Sequence, residues 1–89
     1  MIAPSWYVYI LWNDAGISHT GIAKDPAQRL AKHNSGTGAK FTRGRGPWRI
    51  LRIEGPMDHG DALRRERMIK RDAAFKAELK MAAGEERHE

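Results

Sequence analysis

The sequence predicts an α+β domain, and three observations carry that expectation. Trp6 to Trp12 alternates Trp6/Val8/Ile10/Trp12 with Tyr7/Tyr9/Leu11, as a strand with two occupied faces does. Asp25-Pro26 opens a helical segment directly after the returning arm of a hairpin. A third strand-like run, Trp48 to Ile53, is then followed by two more helical patterns.

Each element has a local reason. Asn13-Asp14-Ala15-Gly16 supplies turn residues, so Ile17 to Ala23 is expected to return antiparallel to the first strand. Asp25 suits the N-cap, Pro26 the first helical position, and Gln28 completes a capping-box-like start. That helix is expected to run to about Asn34 and to bury Ala27, Leu30 and Ala31, with Ser35-Gly36 ending it. Residues 36–47 are rich in glycine and positive charge and read as loop, with a short helix around Ala39–Thr42. After the third strand, Gly60-Asp61 opens a second long helix to about Arg71, and Asp72 caps a short one through Lys80. The partition expected is a disordered 1–5, one domain over 6–80 and a polar, frayed tail over 81–89.

Composition narrows the function classes. Without cysteine there is no disulfide, thiolate metal site or catalytic thiol, which fits a reducing cytoplasm. The opening residues lack the basic and apolar stretches of a signal peptide, and the longest apolar run, Trp6 to Trp12, falls far short of the roughly 20 residues a membrane helix needs. A formal charge of +5 points to a polyanionic partner, because basic surfaces gain affinity by releasing phosphate counterions. There is no P-loop, and His19, His33, His59 and His88 lack the spacing of a zinc site.

Several residues remain as candidates for chemistry. Tyr9 and His19 lie on opposite arms of the hairpin, close enough in register to share a face. Arg29 and His33, at i and i+4, project from one side of the first helix, at the margin of its apolar stripe. Each also has an ordinary reading: a tyrosine packing its ring, and a surface Arg–His pair. Glu66 is sharper, because it falls inside the apolar sector marked by Ala62, Ile69 and Ala73 with Leu63 beside it. A carboxylate there must be paired, protonated or bound to a cation, and an i,i+4 bridge to Lys70 is the plain alternative. The segment Lys40-Phe41-Thr42-Arg43-Gly44-Arg45 combines cations, one aromatic ring and a flexible backbone, as a nucleic-acid contact does. Arg64, Arg67 and Arg71 form a basic ridge that reads as solvated surface or a backbone contact.

Together these positions resemble the GIY-YIG superfamily, most closely its small stand-alone bacterial branch. That branch is related to the catalytic subunit of the eukaryotic structure-specific nuclease and, more distantly, to the UvrC N-terminal domain. Trp6-Tyr7-Val8-Tyr9 is similar to the first motif, and His19-Thr20-Gly21-Ile22-Ala23 to the second. Arg29-Leu30-Ala31-Lys32-His33-Asn34-Ser35-Gly36 matches the helical motif, and Gly38-Ala39-Lys40-Phe41-Thr42-Arg43-Gly44 the basic block. Ala62-Leu63-Arg64-Arg65-Glu66 with Ile69-Lys70 resembles the last signature.

The resemblance implies a three-stranded antiparallel sheet flanked by helices, and hydrolysis of DNA with one divalent metal, Mg²⁺ or Mn²⁺. It makes Glu66 the metal ligand and Arg29 the group that meets charge on the phosphate. Tyr9 would help to activate water, and His33 would assist proton transfer or bind phosphate. A phenol is a poor base in water, so that role calls for the cation or Arg29 nearby. Lys40, Phe41, Arg43, Arg45 and Lys70 are the expected nucleic-acid contacts. Two positions depart from the pattern: His19 replaces a tyrosine and Phe41 another. An imidazole with its ordinary pKa of about 6.5 suits general-base work, so His19 is compatible with activity or with a site kept for binding alone. Three readings follow. The first is an endonuclease acting on branched or nicked DNA in repair or recombination; the others are a non-catalytic nucleic-acid binder and a subunit that needs a protein partner. Oligomeric state stays open, since Trp6, Trp12 and Trp48 suit a core or a contact between copies.

Overall fold

Alternation along the first strand presents two different surfaces back to back, and the fold covers both. The computed structural model describes residues 3–87, with side chains as far as 84. In chain order these form β1 (Trp6–Trp12), β2 (Ser18–Ala23), α1 (Pro26–Ser35), a 3₁₀ turn (Lys40–Thr42), β3 (Arg49–Met57), α2 (His59–Arg71) and α3 (Ala73–Arg87). The strands make one antiparallel sheet in the order β2-β1-β3, so the aromatic strand is central. On one face Val8 and Ile10 pack with Ala62 and Ile69 of α2, joined by Phe75 and Leu79 of α3. On the other, Tyr9 and Leu11 pack with Ala23 and Trp48, closed by Leu30 of α1. Period-two alternation is therefore read out as two cores.

The caps act as their chemistry dictates. The Asp25 carboxylate accepts from the Gln28 amide at 3.1 Å, Pro26 starts α1, and Gly36 closes it at φ 81°. Asp72 does the same for α3 through the Phe75 amide at 2.9 Å. Other boundaries differ from expectation. α2 begins at His59 and ends before Ala73, which is exposed and opens α3. α3 continues to Arg87 instead of stopping near Lys80, because Ala82, Ala83, Glu85 and Glu86 favour helix and one glycine does not outweigh them. β3 extends to Met57 through Gly55 and Pro56. An edge strand tolerates that proline, and Gly55, at φ 134°, sits where the β1–β3 register shifts. Met1, Ile2, His88 and Glu89 lie outside the described residues, and with them parts of the expected disordered 1–5 and polar tail.

The inward face of α1 also differs. Ala27 and Ala31 are exposed and Leu30 is half-buried, while His33 is only 2% exposed. The helix turns a polar residue to the sheet because Tyr9 and Thr42 there satisfy it.

A strut that the sequence does not advertise ties α2 to β3. Glu54 accepts from Arg65 Nε at 2.6 Å and Nη2 at 2.9 Å, and from Arg52 Nε at 2.7 Å. The guanidiniums of Arg52 and Arg65 also lie over the Phe75 ring, at 5.5 and 5.2 Å respectively. Hydrogen bonding from Arg65 outweighs burial and draws the Glu54 carboxyl down from 4.5 to about 2. A depressed carboxylate contributes stability that is complete above pH 4.5 and lost as pH falls from there through about 2. With the Arg52 side chain partly solvated, Glu54→Gln is expected to cost about 1–2 kcal/mol at pH 7. Urea unfolding measured between pH 7 and 2 should show that cost shrink steadily towards the acid end. An equal cost throughout would contradict the ionic account.

Candidate active site

The α1-facing side of the hairpin gathers most of the candidate residues. Tyr9 pairs with Gly21 and Leu11 with His19, so Tyr9 and His19 point the same way, their ring centroids 6.3 Å apart. Gly21 is what lets the phenol lie across β2. A Cβ there would overlap the Tyr9 hydroxyl and stand 2.6 Å from Cζ.

From α1, His33 meets this pair. The Tyr9 hydroxyl lies 3.0 Å from His33 Nε2, and His33 Nδ1 lies 2.7 Å from Thr42 Oγ1. Thr42 Oγ1 in turn donates to the Ala39 carbonyl at 2.8 Å, and Trp48 Nε1 donates to the Thr42 carbonyl at 3.1 Å. The chain is buried and, among the described residues, no buried side-chain polar atom lacks a partner. Two asparagines hold its frame. Asn34 donates to the Trp48 carbonyl at 3.1 Å and accepts from its amide at 2.6 Å. Asn13 donates to the Arg45 carbonyl at 2.8 Å, pinning the basic loop to the hairpin turn.

His19 closes the cluster from β2. Its ring meets His33 edge-on at 4.9 Å and stacks on Phe41 at 6.1 Å and 21°. Phe41 is 47% exposed, and the Arg45 guanidinium lies 4.9 Å from its centroid. Burial, followed by the charges of His33, Lys70 and Arg29, pushes His19 down to about 4. It therefore stays neutral at physiological pH and is a weaker proton acceptor than an ordinary imidazole. Burial, then Arg29, also lowers His33. Phe41→Ala should rehydrate His19 and raise its midpoint on the order of one unit. An NMR titration of the His19 ring measures this; a midpoint left near 4 would show that Phe41 is not the cover.

Arg29 is half-buried on α1, and its charge is felt by both histidines. Glu66 comes from α2, whose core residues pack on the face of the sheet opposite Tyr9. Its side chain is 18% exposed and its partner is Lys70, 3.5 Å away, the i,i+4 bridge expected as the plain alternative. Lys70 links the acid to the cluster, since its charge acts on His19. Among the described residues no group of three or more His, Asp or Glu side chains is set to hold a metal. A lone carboxylate is nevertheless a donor set that suits Mg²⁺ or Mn²⁺, hard cations that keep several waters and use one or two carboxylates beside a phosphate. Lys40, Arg43 and Arg45 are exposed on the loop beside His19. Of the basic ridge, Arg64 pairs with Asp61, while Arg67 and Arg71 are exposed.

The sequence places Thr42, Trp48, Asn13 and Asn34 in a loop, a strand, a turn and a helix end, and gives none of them a part in the site. A buried threonine next to a tryptophan has no periodic signature; only the Asn–x–Gly end of α1 hinted that this segment does more than stop a helix.

Comparison with known proteins identifies the domain. A family model described as the GIY-YIG catalytic domain matches residues 5–78. A UPF0213 protein of Neisseria meningitidis serogroup C is 41% identical over 80 residues, covering 89% of this chain and 88% of the relative. A UPF0213 protein of Aeromonas hydrophila is 37% identical over 78 residues, and there the match spans 57% of the relative's length. The solution NMR structure of a UPF0213 protein from Bacillus halodurans superposes with a TM-score of 0.51 at 38% identity, over 88% of this chain and 83% of that one. With the family model matched along most of the chain and a fold shared at this identity, the chain belongs to the GIY-YIG catalytic domain family, a domain of nuclease type.

Proposed function

We propose that this protein is a metal-dependent endonuclease that hydrolyses DNA phosphodiester bonds, selecting branched or nicked structures in repair or recombination. The observation that carries the reading is the buried Tyr9–His33 hydrogen bond at 3.0 Å. A buried phenol needs a hydrogen-bond partner, and here the partner is an imidazole held on its other nitrogen. An imidazole in that place can also take the phenol's proton, which a plain structural partner such as a carbonyl cannot.

In this reading the Arg29 guanidinium donates to the non-bridging phosphate oxygens, where charge grows as the fifth bond to phosphorus forms. Tyr9 orients the attacking water and takes its proton, with His33 as the neighbouring acceptor. His19, kept neutral, hydrogen-bonds the same water or a phosphate oxygen. Glu66 would hold the divalent cation, which when bound supplies positive charge to the water and the leaving oxygen. Lys40, Arg43, Arg45 and Lys70 follow the sugar-phosphate backbone and Phe41 offers a ring face to a base. So few side chains near the site favour shape over base sequence.

The test is nicking of supercoiled plasmid, and cutting of branched and linear duplexes, by purified protein with Mn²⁺ or Mg²⁺ and with EDTA. Metal-dependent nicking with preference for branched DNA is expected. Retention of DNA without cutting under every divalent ion would favour a binding domain. Cutting only after cell extract is added would favour a partner-dependent subunit.

A further inference from the structure

We propose that Thr42 is a positioning residue that fixes the tautomer of His33 and thereby commits the Tyr9 hydroxyl proton to His33 Nε2. The argument is a proton count over three contacts: Tyr9 Oη to His33 Nε2, His33 Nδ1 to Thr42 Oγ1, and Thr42 Oγ1 to the Ala39 carbonyl, at 3.0, 2.7 and 2.8 Å. Thr42 has one hydroxyl hydrogen. If it lies on the Ala39 carbonyl, His33 must donate from Nδ1, leaving Nε2 as an acceptor that Tyr9 fills. Every contact then holds one proton. In the other neutral tautomer Thr42 donates to Nδ1, and two oxygens face each other at 2.8 Å with no hydrogen between them.

The surroundings keep the ring from escaping this choice. Thr42 is 1% exposed, and its carbonyl is held by Trp48 Nε1. Gly38 lies so close that a Cβ on it would stand 2.6 Å from His33 Nδ1. His19 meets the ring edge-on.

The consequence rests on the nuclease reading. With its hydrogen pointed at His33, Tyr9 keeps its lone pairs free to accept from a water. The water O–H bond breaks and its proton bonds to Tyr9 Oη. The Tyr9 O–H bond breaks in turn and that proton bonds to His33 Nε2. The electron pair left on the water oxygen forms the bond to phosphorus, while the bond from phosphorus to the leaving ester oxygen breaks and its electron pair departs on that oxygen, which takes up a proton from solvent. His33 becomes an imidazolium whose Nδ1–H still rests on Thr42, so Thr42 acts without touching substrate.

The tautomer can be read without any cleavage, from long-range ¹H–¹⁵N NMR of the His33 ring in the full chain at pH 7. The parent is expected to carry hydrogen on Nδ1 and a bare Nε2. Thr42→Val keeps the shape but removes the acceptor, and should shift His33 towards the Nε2–H form. Thr42→Ser should restore the parent pattern. Where the parent nicks plasmid, Thr42→Val should lower the rate roughly 10- to 100-fold and Thr42→Ser should recover it. Finding Nε2–H in the parent would overturn the proposal, as would an unchanged tautomer in Thr42→Val. Should Thr42→Val fail to fold, the parent and Thr42→Ser spectra still decide it. Should the parent cut no DNA, the nuclease reading fails while the tautomer assignment stands or falls on its own spectrum.

Discussion

Arg29→Ala and Glu66→Ala are each expected to lower DNA cleavage about 1,000-fold or more while leaving the fold intact. Among the described residues the Arg29 guanidinium makes no hydrogen bond or ion pair, so its removal takes little from the folded state. Glu66 has only the 3.5 Å contact with Lys70 to lose, worth about 0.2–0.5 kcal/mol. Small structural cost with large catalytic cost is the mark of groups that act on substrate. Thermal melts and plasmid nicking on the same preparations measure the two separately. Variants that cut as well as the parent would trace the activity to a contaminating nuclease. Variants that melt many degrees lower would make these residues structural.

Gly21→Ala should damage the site from a position that carries no reactive group. Its Cβ would overlap the Tyr9 hydroxyl, with Cζ at 2.6 Å and Cε1 at 3.1 Å. Tyr9 is 2% exposed and bonded to His33, so the ring cannot swing aside without breaking the pair. Overpacking of this kind costs about 2–3 kcal/mol, more than alanine recovers by stiffening the unfolded chain. Unfolding by urea should register that loss. Cleavage is expected to fall on the order of 100-fold even in the folded fraction, because Tyr9 and His33 separate. An alanine variant as stable and active as the parent would mean that the phenol does not lie across β2.

How far the sequence could be read follows from the range of the forces involved. The bounds of β1, the turn after it, and the caps at Asp25 and Asp72 depend on a residue and its near neighbours, and they were legible. So was the inward sector of α2, because Glu66 interrupts an apolar wheel. The face of α1 was not, since a search for apolar stripes chooses Ala27 and Ala31 over a histidine. His33 is inside only because a phenol and a threonine, 24 and 9 residues away along the chain, wait there with partners for both its nitrogens. The low basicity of His19 is not legible in the sequence for a similar reason. Its ordinary value assumes water, and the folded chain replaces much of that water around the ring.

By itself the sequence determined the class of fold, the order of its elements and the residue types available for phosphate chemistry. These follow from steric preference, hydrophobic alternation and local hydrogen bonding, all of which act over a few residues. Tertiary structure alone decided which nitrogen of His33 faces Tyr9, how dry His19 is and where Glu66 finds a counter-charge. Those properties depend on desolvation and on pairing between distant segments, which exist only once the hairpin, α1, α2 and the basic loop have closed on one another.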